Sequence, residues 1–123
     1  MRKHPTPPAG TVHRLTLDSA LLKGNRAGDP SERPVLVYTP PGFDAAKRYP
    51  LFMDIVGYCG SGASHVNWRP FGLSLPERLD RLIADGKMGP VIAVLPDGFT
   101  CYGGNQYIDS HAPARVIPWT SAP

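Results

Sequence analysis

Two short, almost unbroken apolar runs, Leu51-Phe52-Met53-Asp54-Ile55-Val56-Gly57 and Val91-Ile92-Ala93-Val94-Leu95, bracket one well-punctuated helical segment, and this arrangement restricts the chain more than any other feature. A run without polar alternation suits a strand covered on both faces, the usual condition in a parallel sheet. Between the runs, Ser74 and Glu77 have the S-x-x-E spacing of a capping box, Pro76 stands in the first turn, and Gly86 follows the last periodic residue as a stop. Leu75, Leu79, Leu82 and Ile83 recur at helical spacing and make one apolar face, with Glu77, Arg78, Asp80 and Arg81 assigned to the other. Strand, helix, strand is a crossover unit, so the two runs are predicted to be parallel neighbours with the helix packed by one side on their sheet.

Upstream, Thr11 to Leu17 alternates with Leu15 and Leu17 on one side, and Val35-Leu36-Val37-Tyr38 is a second β-branched and aromatic run closed by Pro40-Pro41-Gly42. Gly24-Asn25 and Gly28-Asp29-Pro30 supply turns between them, so the pair reads as an antiparallel hairpin. The predicted class is therefore α/β, an antiparallel hairpin followed by a parallel βαβ unit. The stretch from Tyr58 to Leu73 and the one opening at Pro96-Asp97-Gly98 both leave the carboxyl ends of the predicted parallel strands, where open α/β sheets place their ligands.

At 123 residues the chain holds one domain, and its 15 Pro and 13 Gly favour turns over long helices. The formal charge of +3 comes from scattered Lys and Arg, with only Met1-Arg2-Lys3-His4 clustered, which is too short for a nucleic-acid arm. No run approaches the roughly 20 apolar residues of a spanning helix, and the start carries no apolar signal-peptide core; the expectation is a cytoplasmic protein without membrane or nucleic-acid partners. Cys59 and Cys101 fit no zinc spacing and are expected as free thiols, and His4, His13, His65 and His111 form no H-x-x-x-H pair, so neither metal nor cofactor is predicted.

From about Thr11 to Ser110 the chain resembles the esterase family of α/β hydrolases related to enterochelin esterases, feruloyl esterases and S-formylglutathione hydrolase. The carriers are Val37-Tyr38-Thr39-Pro40-Pro41-Gly42-Phe43-Asp44, Tyr49-Pro50-Leu51-Phe52, Gly57-Tyr58-Cys59-Gly60-Ser61-Gly62, Trp68, Pro96-Asp97-Gly98 and Gly103-Gly104-Asn105-Gln106-Tyr107. The resemblance implies the N-terminal half of a three-layer α/β-hydrolase sheet. It divides the chain into a disordered segment 1–10, an incomplete esterase domain 11–110 and a non-matching tail 111–123.

The resemblance also implies a serine carboxylic-ester hydrolase acting on a small-molecule ester, with a backbone N–H of Gly57 or Tyr58 in the oxyanion hole. Val56-Gly57 stands where the family has a His-Gly pair, which a main-chain donor tolerates. The same glycines also read simply as a flexible turn. Trp68, Phe71, Phe99, Tyr102 and Tyr107 fall on the two loops; Trp68, Phe99, Tyr102 and Tyr107 are the candidate pocket residues, with ordinary loop packing as the other reading. No G-x-S-x-G elbow occurs. Gly62-Ala63-Ser64-His65-Val66 ends in Val, Ser74 is explained as a cap, and His65 beside Ser64 reads as a loop histidine.

Asp54, inside an apolar run, reads as a buried carboxylate with a partner, and Asp97 as a turn former. The patternless segment after Ser110 leads to the expectation of a truncated or frame-shifted reading frame, inactive alone; the alternative is a non-catalytic ligand-binding or interaction module. The Val91–Leu95 strand is expected to lack its next neighbour and to leave a sheet edge for self-association.

Overall fold

The computed structural model describes residues 7–104 and 107. Strands β1 (Thr11–Asp18), β2 (Glu32–Thr39), β3 (Leu51–Met53) and β4 (Ile92–Pro96) form one sheet in the order β1-β2-β4-β3. Helices α1 (Gly62–Val66) and α2 (Leu75–Ala84) lie between β3 and β4 in the chain. β1 pairs antiparallel with β2, β2 antiparallel with β4, and β3 parallel with β4, so both the hairpin and the crossover unit expected from the sequence are present.

Side-chain alternation divides the sheet into two unequal faces. Tyr38, Ala93 and Leu95 point to one side and pack with Leu79 of α2 as a buried cluster, which Val66 of α1 and Leu75 also join. Burying a residue such as Leu95, 1% exposed, contributes ~1.5–3 kcal/mol. The other face carries Leu15, Leu17, Val35 and Val94, and no described helix covers it; Leu15 is 53% and Leu17 47% exposed. The result is a mixed sheet with helices on one side, a partial version of the three-layer α/β-hydrolase arrangement.

Helix α2 begins as its sequence requires. The Glu77 carboxylate accepts hydrogen bonds from the Ser74 backbone N–H at 2.6 Å and from its hydroxyl at 2.8 Å. Pro occupies the first turn, and the chain leaves the helix through Gly86 at φ +67°. The predicted split of the helix into faces needs correction at two residues. Asp80, assigned to the polar face, is buried, because it accepts the Tyr38 hydroxyl at 2.6 Å and the Gly10 backbone N–H at 2.8 Å. Leu82, assigned to the apolar face, is 38% exposed. The seam is rotated toward the position where a paired carboxylate can replace an apolar side chain.

Burial pushes the Tyr38 phenol far above the ordinary tyrosine range, and the hydrogen bond and charge of Asp80 add to the effect. The same pair ties β2 to α2 and holds the chain at Gly10, which leads into β1.

Two further corrections concern the apolar runs. Only Leu51–Met53 of the first run is strand, and it is not covered on both faces: Leu51 is 63% and Phe52 44% exposed. Among the described residues β3 ends the sheet and has one neighbour, β4, which leaves its side chains less covered. Conversely β4, expected at a free edge, sits between β2 and β3. The free edges among the described residues are β1 and β3. The stretch after Tyr58 also holds α1, a short helix absent from the sequence reading. Most of the segment 1–10 and all of the tail 111–123 lie outside the described residues.

Candidate functional site

Because β3 and β4 run parallel, the segments that follow them leave the sheet at the same edge. Asp54 closes the ladder, its N–H donating to the Val94 carbonyl at 2.9 Å. The chain then turns at Gly57–Gly60, the Gly60 N–H donating to the Gly57 carbonyl at 2.9 Å, and enters α1 at Gly62. Gly57 and Tyr58 are exposed, and among the described residues neither N–H donates a hydrogen bond.

Two glycines let the backbones at this edge approach. A Cβ on Gly62 would meet the Leu95 carbonyl oxygen at 2.9 Å, so α1 can start directly against the end of β4 only without a side chain there. A Cβ on Gly104 would overlap the main chain of Tyr58, so the segment after β4 presses on the turn after β3. The glycine-rich stretch is thus a supported turn leading into a helix.

Side chains brace the same turn. The His65 Nδ1 on α1 is hydrogen-bonded to the Asp54 carboxylate at the end of β3, closing a loop around residues 55–64. This is the partner expected for Asp54, and it corrects the reading of His65 as a loop histidine, because the residue lies on α1 facing that carboxylate. Tyr107 is hydrogen-bonded to the backbone of Val56. Its phenol is raised above the ordinary range by burial first and then by the negative charges of Asp97 and Asp54, with the Val56 bond opposing. Asp97 caps its own turn, accepting the Phe99 N–H at 3.0 Å, as its strand-end position suggested.

The loop after β4 is held from below by residues the sequence did not single out. Buried Arg33 of β2 donates to the Phe99 carbonyl, and Asp29 accepts the Cys101 N–H at 2.7 Å. Gly28-Asp29-Pro30 reads in sequence as turn chemistry, and nothing local shows that its carboxylate reaches across to residue 101. Of the candidate pocket residues, Trp68 is 80%, Tyr102 67% and Phe99 41% exposed, whereas Tyr107 is half-buried. Trp68 follows α1, and Phe99, Tyr102 and Tyr107 follow β4. A groove of about 250 Å³ lies elsewhere, on the bare sheet face between Leu15, Leu17, Val35, Val94 and Pro96, with Asp97 at its end.

No activated nucleophile is assembled here among the described residues. The Ser64 hydroxyl donates to the Ser61 carbonyl at 2.7 Å, and the adjacent His65 turns its Nδ1 to Asp54 instead. Cys59 and Cys101 are free and exposed. Among the described residues no group of three or more His, Cys, Asp or Glu is placed to hold a metal ion, and no helix is long and apolar enough to cross a membrane.

The chain matches no family model. Its structure is similar to the feruloyl esterase module from Clostridium thermocellum, solved as a serine-to-alanine mutant with sinapinate, at 26% identity and TM-score 0.62, covering 83% of this chain and 31% of that one. It is similar also to a CE1 ferulic acid esterase from Anaeromyces mucronatus, in complex with ferulic acid, at 21% identity and TM-score 0.61, covering 89% of this chain and 35% of that one. The fold is part of an α/β-hydrolase sheet. With a further ferulic acid esterase the match covers 82% of this chain and 37% of the other at TM-score 0.59. The chain therefore spans about a third of the length of the α/β hydrolases it matches.

Proposed function

We propose that this chain is the oxyanion-hole and partial-pocket portion of a serine carboxylic-ester hydrolase, and that it turns over no ester by itself. The observation that carries the reading is the turn after β3: Gly57 and Tyr58 present backbone N–H groups without acceptors among the described residues, on a turn braced by Asp54–His65 and by Gly104. Donors fixed before the reaction are what a developing oxyanion requires, since no reorganisation is then needed as charge forms. Similarity to esterases solved with sinapinate and ferulic acid supports an ester of an aromatic carboxylic acid as the substrate class of the intact enzyme. Trp68, Phe99, Tyr102 and Tyr107 then form the wall against which the acyl group lies.

Acyl transfer also needs a nucleophile with a base in reach, and the sequence holds no elbow for one. An oxyanion hole alone leaves only residual acceleration. Short p-nitrophenyl esters are the direct test: hydrolysis by the purified chain is expected at the buffer rate. Turnover that persists through purification and disappears in Ser64→Ala or Ser61→Ala would overturn the reading. The exposed aromatic residues favour one second reading, a non-catalytic ligand-binding module, which would show saturable binding of an ester of an aromatic acid with no turnover.

A further inference from the structure

Asp29 lies in the connection before β2 and Arg33 within β2, and both are buried with a bond to the loop after β4. Arg33 donates from Nη1 to the Phe99 carbonyl, and Asp29 Oδ1 accepts the Cys101 N–H at 2.7 Å. Asp29 is itself fixed from behind. Asn25 Oδ1 accepts its N–H at 3.0 Å, and the Asn25 amide donates to the Asp29 carbonyl at 2.6 Å and to the Leu22 carbonyl at 2.8 Å. Gly28, at φ +72°, provides the turn between Asn25 and Asp29.

The loop they hold is a small closed unit. Thr100 and Gly103 exchange backbone hydrogen bonds at 2.6 and 2.9 Å. The Thr100 hydroxyl donates to the Gly103 carbonyl at 2.9 Å and accepts the Tyr102 N–H at 3.2 Å. Phe99 stands at the base of this unit and Cys101 at its tip, so the two charged side chains grip it at both places. A hairpin closed on itself can still swing as a body; bonds from side chains fixed on another part of the sheet remove that freedom.

We infer that Asp29 and Arg33, with Asn25 behind Asp29, are positioning residues that set where the loop carrying Phe99 and Tyr102 stands. The consequence for a ligand rests on the proposed place of those two aromatic residues in the pocket wall. A charged partner makes each bond to the backbone stronger than a neutral one, and burial keeps water from competing for it. Ligand binding then requires no ordering of the loop, which is the cost that pre-organisation removes. Gly104, which meets the Tyr58 main chain, follows the same unit directly, so its position also bears on the turn after β3.

Amide hydrogen exchange and a ligand titration, both on the full chain, test this. The Cys101 amide is expected to be protected in the native chain. Asp29→Ala should speed its exchange at least about tenfold, whereas Asp29→Asn, which keeps an acceptor oxygen, should restore protection. The Asp54 and Asp85 amides, bonded to Val94 and Arg81, should not change in either variant. Methyl cinnamate, an ester of an aromatic acid, is the binding probe: the Phe99 and Tyr102 amide shifts should saturate with a Kd at least about fivefold weaker in Asp29→Ala than in the native chain or Asp29→Asn. If Asp29→Ala fails to fold, Asn25→Ala, which leaves the carboxylate but frees it, should speed Cys101 exchange in its place. A Cys101 amide that is unprotected in the native chain, or equally protected in Asp29→Ala, overturns the inference, as does unaltered binding beside a faster Cys101 amide. If the native chain binds no methyl cinnamate, the pocket reading fails, and the exchange rates still decide the positioning.

Discussion

β3 and β4 come from runs that look interchangeable in the sequence, yet one is exposed and the other forms the core. Leu95 and Ala93 of β4 are 1% and 0% exposed, whereas Leu51 of β3 is 63% exposed. Apolar continuity reports that a strand belongs where neighbours can cover it; the order β1-β2-β4-β3 determines which strand the described residues cover. The two strands also differ in work. β4 takes bonds from both sides and packs α2, while β3 delivers Asp54 and the turn at Gly57 to the edge of the sheet.

Truncation of a side chain should separate the two strands most clearly. Leu95→Ala should cost about 2–5 kcal/mol of stability and Leu51→Ala under about 0.5 kcal/mol, read from urea unfolding of each variant. Equal losses would mean that β3 is covered in solution and would break the contrast.

A smaller effect is expected where the core depends on a polar pair. Tyr38→Phe leaves buried Asp80 with the Gly10 N–H as its remaining hydrogen bond, a loss of about 1–3 kcal/mol. Tyr102→Phe at the open edge should change stability by less than about 0.5 kcal/mol. Thermal unfolding of both variants checks the difference, and a silent Tyr38→Phe would show that Asp80 is not held as described.

The smallest effect concerns the start of α2. The Ser74 N–H and hydroxyl hold the Glu77 carboxyl below the ordinary range, so the unfolded chain takes up this proton at higher pH than the folded one. The contribution of the cap is fully present above the ordinary glutamate range and is lost as pH falls through the lowered folded value. Glu77→Gln should therefore flatten the acid limb of stability against pH and leave the neutral region nearly unchanged; an identical acid limb in the variant would remove Glu77 from the account.

Local chemistry made much of this legible. The capping box at Ser74 and Glu77, the stop at Gly86, the hairpin and the parallel crossover all depend on residues close in sequence or on a pattern only two periodicities can satisfy. What escaped depends on distant partners. Asp80 reads as solvated until Tyr38, 42 residues away, is placed beside it. Arg33 and Asp29 look like strand and turn residues until the loop after β4 returns over them. The rank of β3 as an edge was hidden because parallel pairing specifies a neighbour and not the position of the pair within the sheet. At the site, Gly57 and Tyr58 were readable as candidates from resemblance, while the Asp54–His65 brace needed α1, a helix too short for periodicity to reveal.

The proposed function requires that this edge carry backbone donors without an activated serine. Labelling with a fluorophosphonate, followed by intact mass measurement, tests it most directly, because such reagents bond to a serine only where a base and an oxyanion site cooperate. The chain is expected to keep its unmodified mass after prolonged exposure. A single stoichiometric adduct on Ser64 or Ser61, abolished by His65→Gln, would contradict the claim.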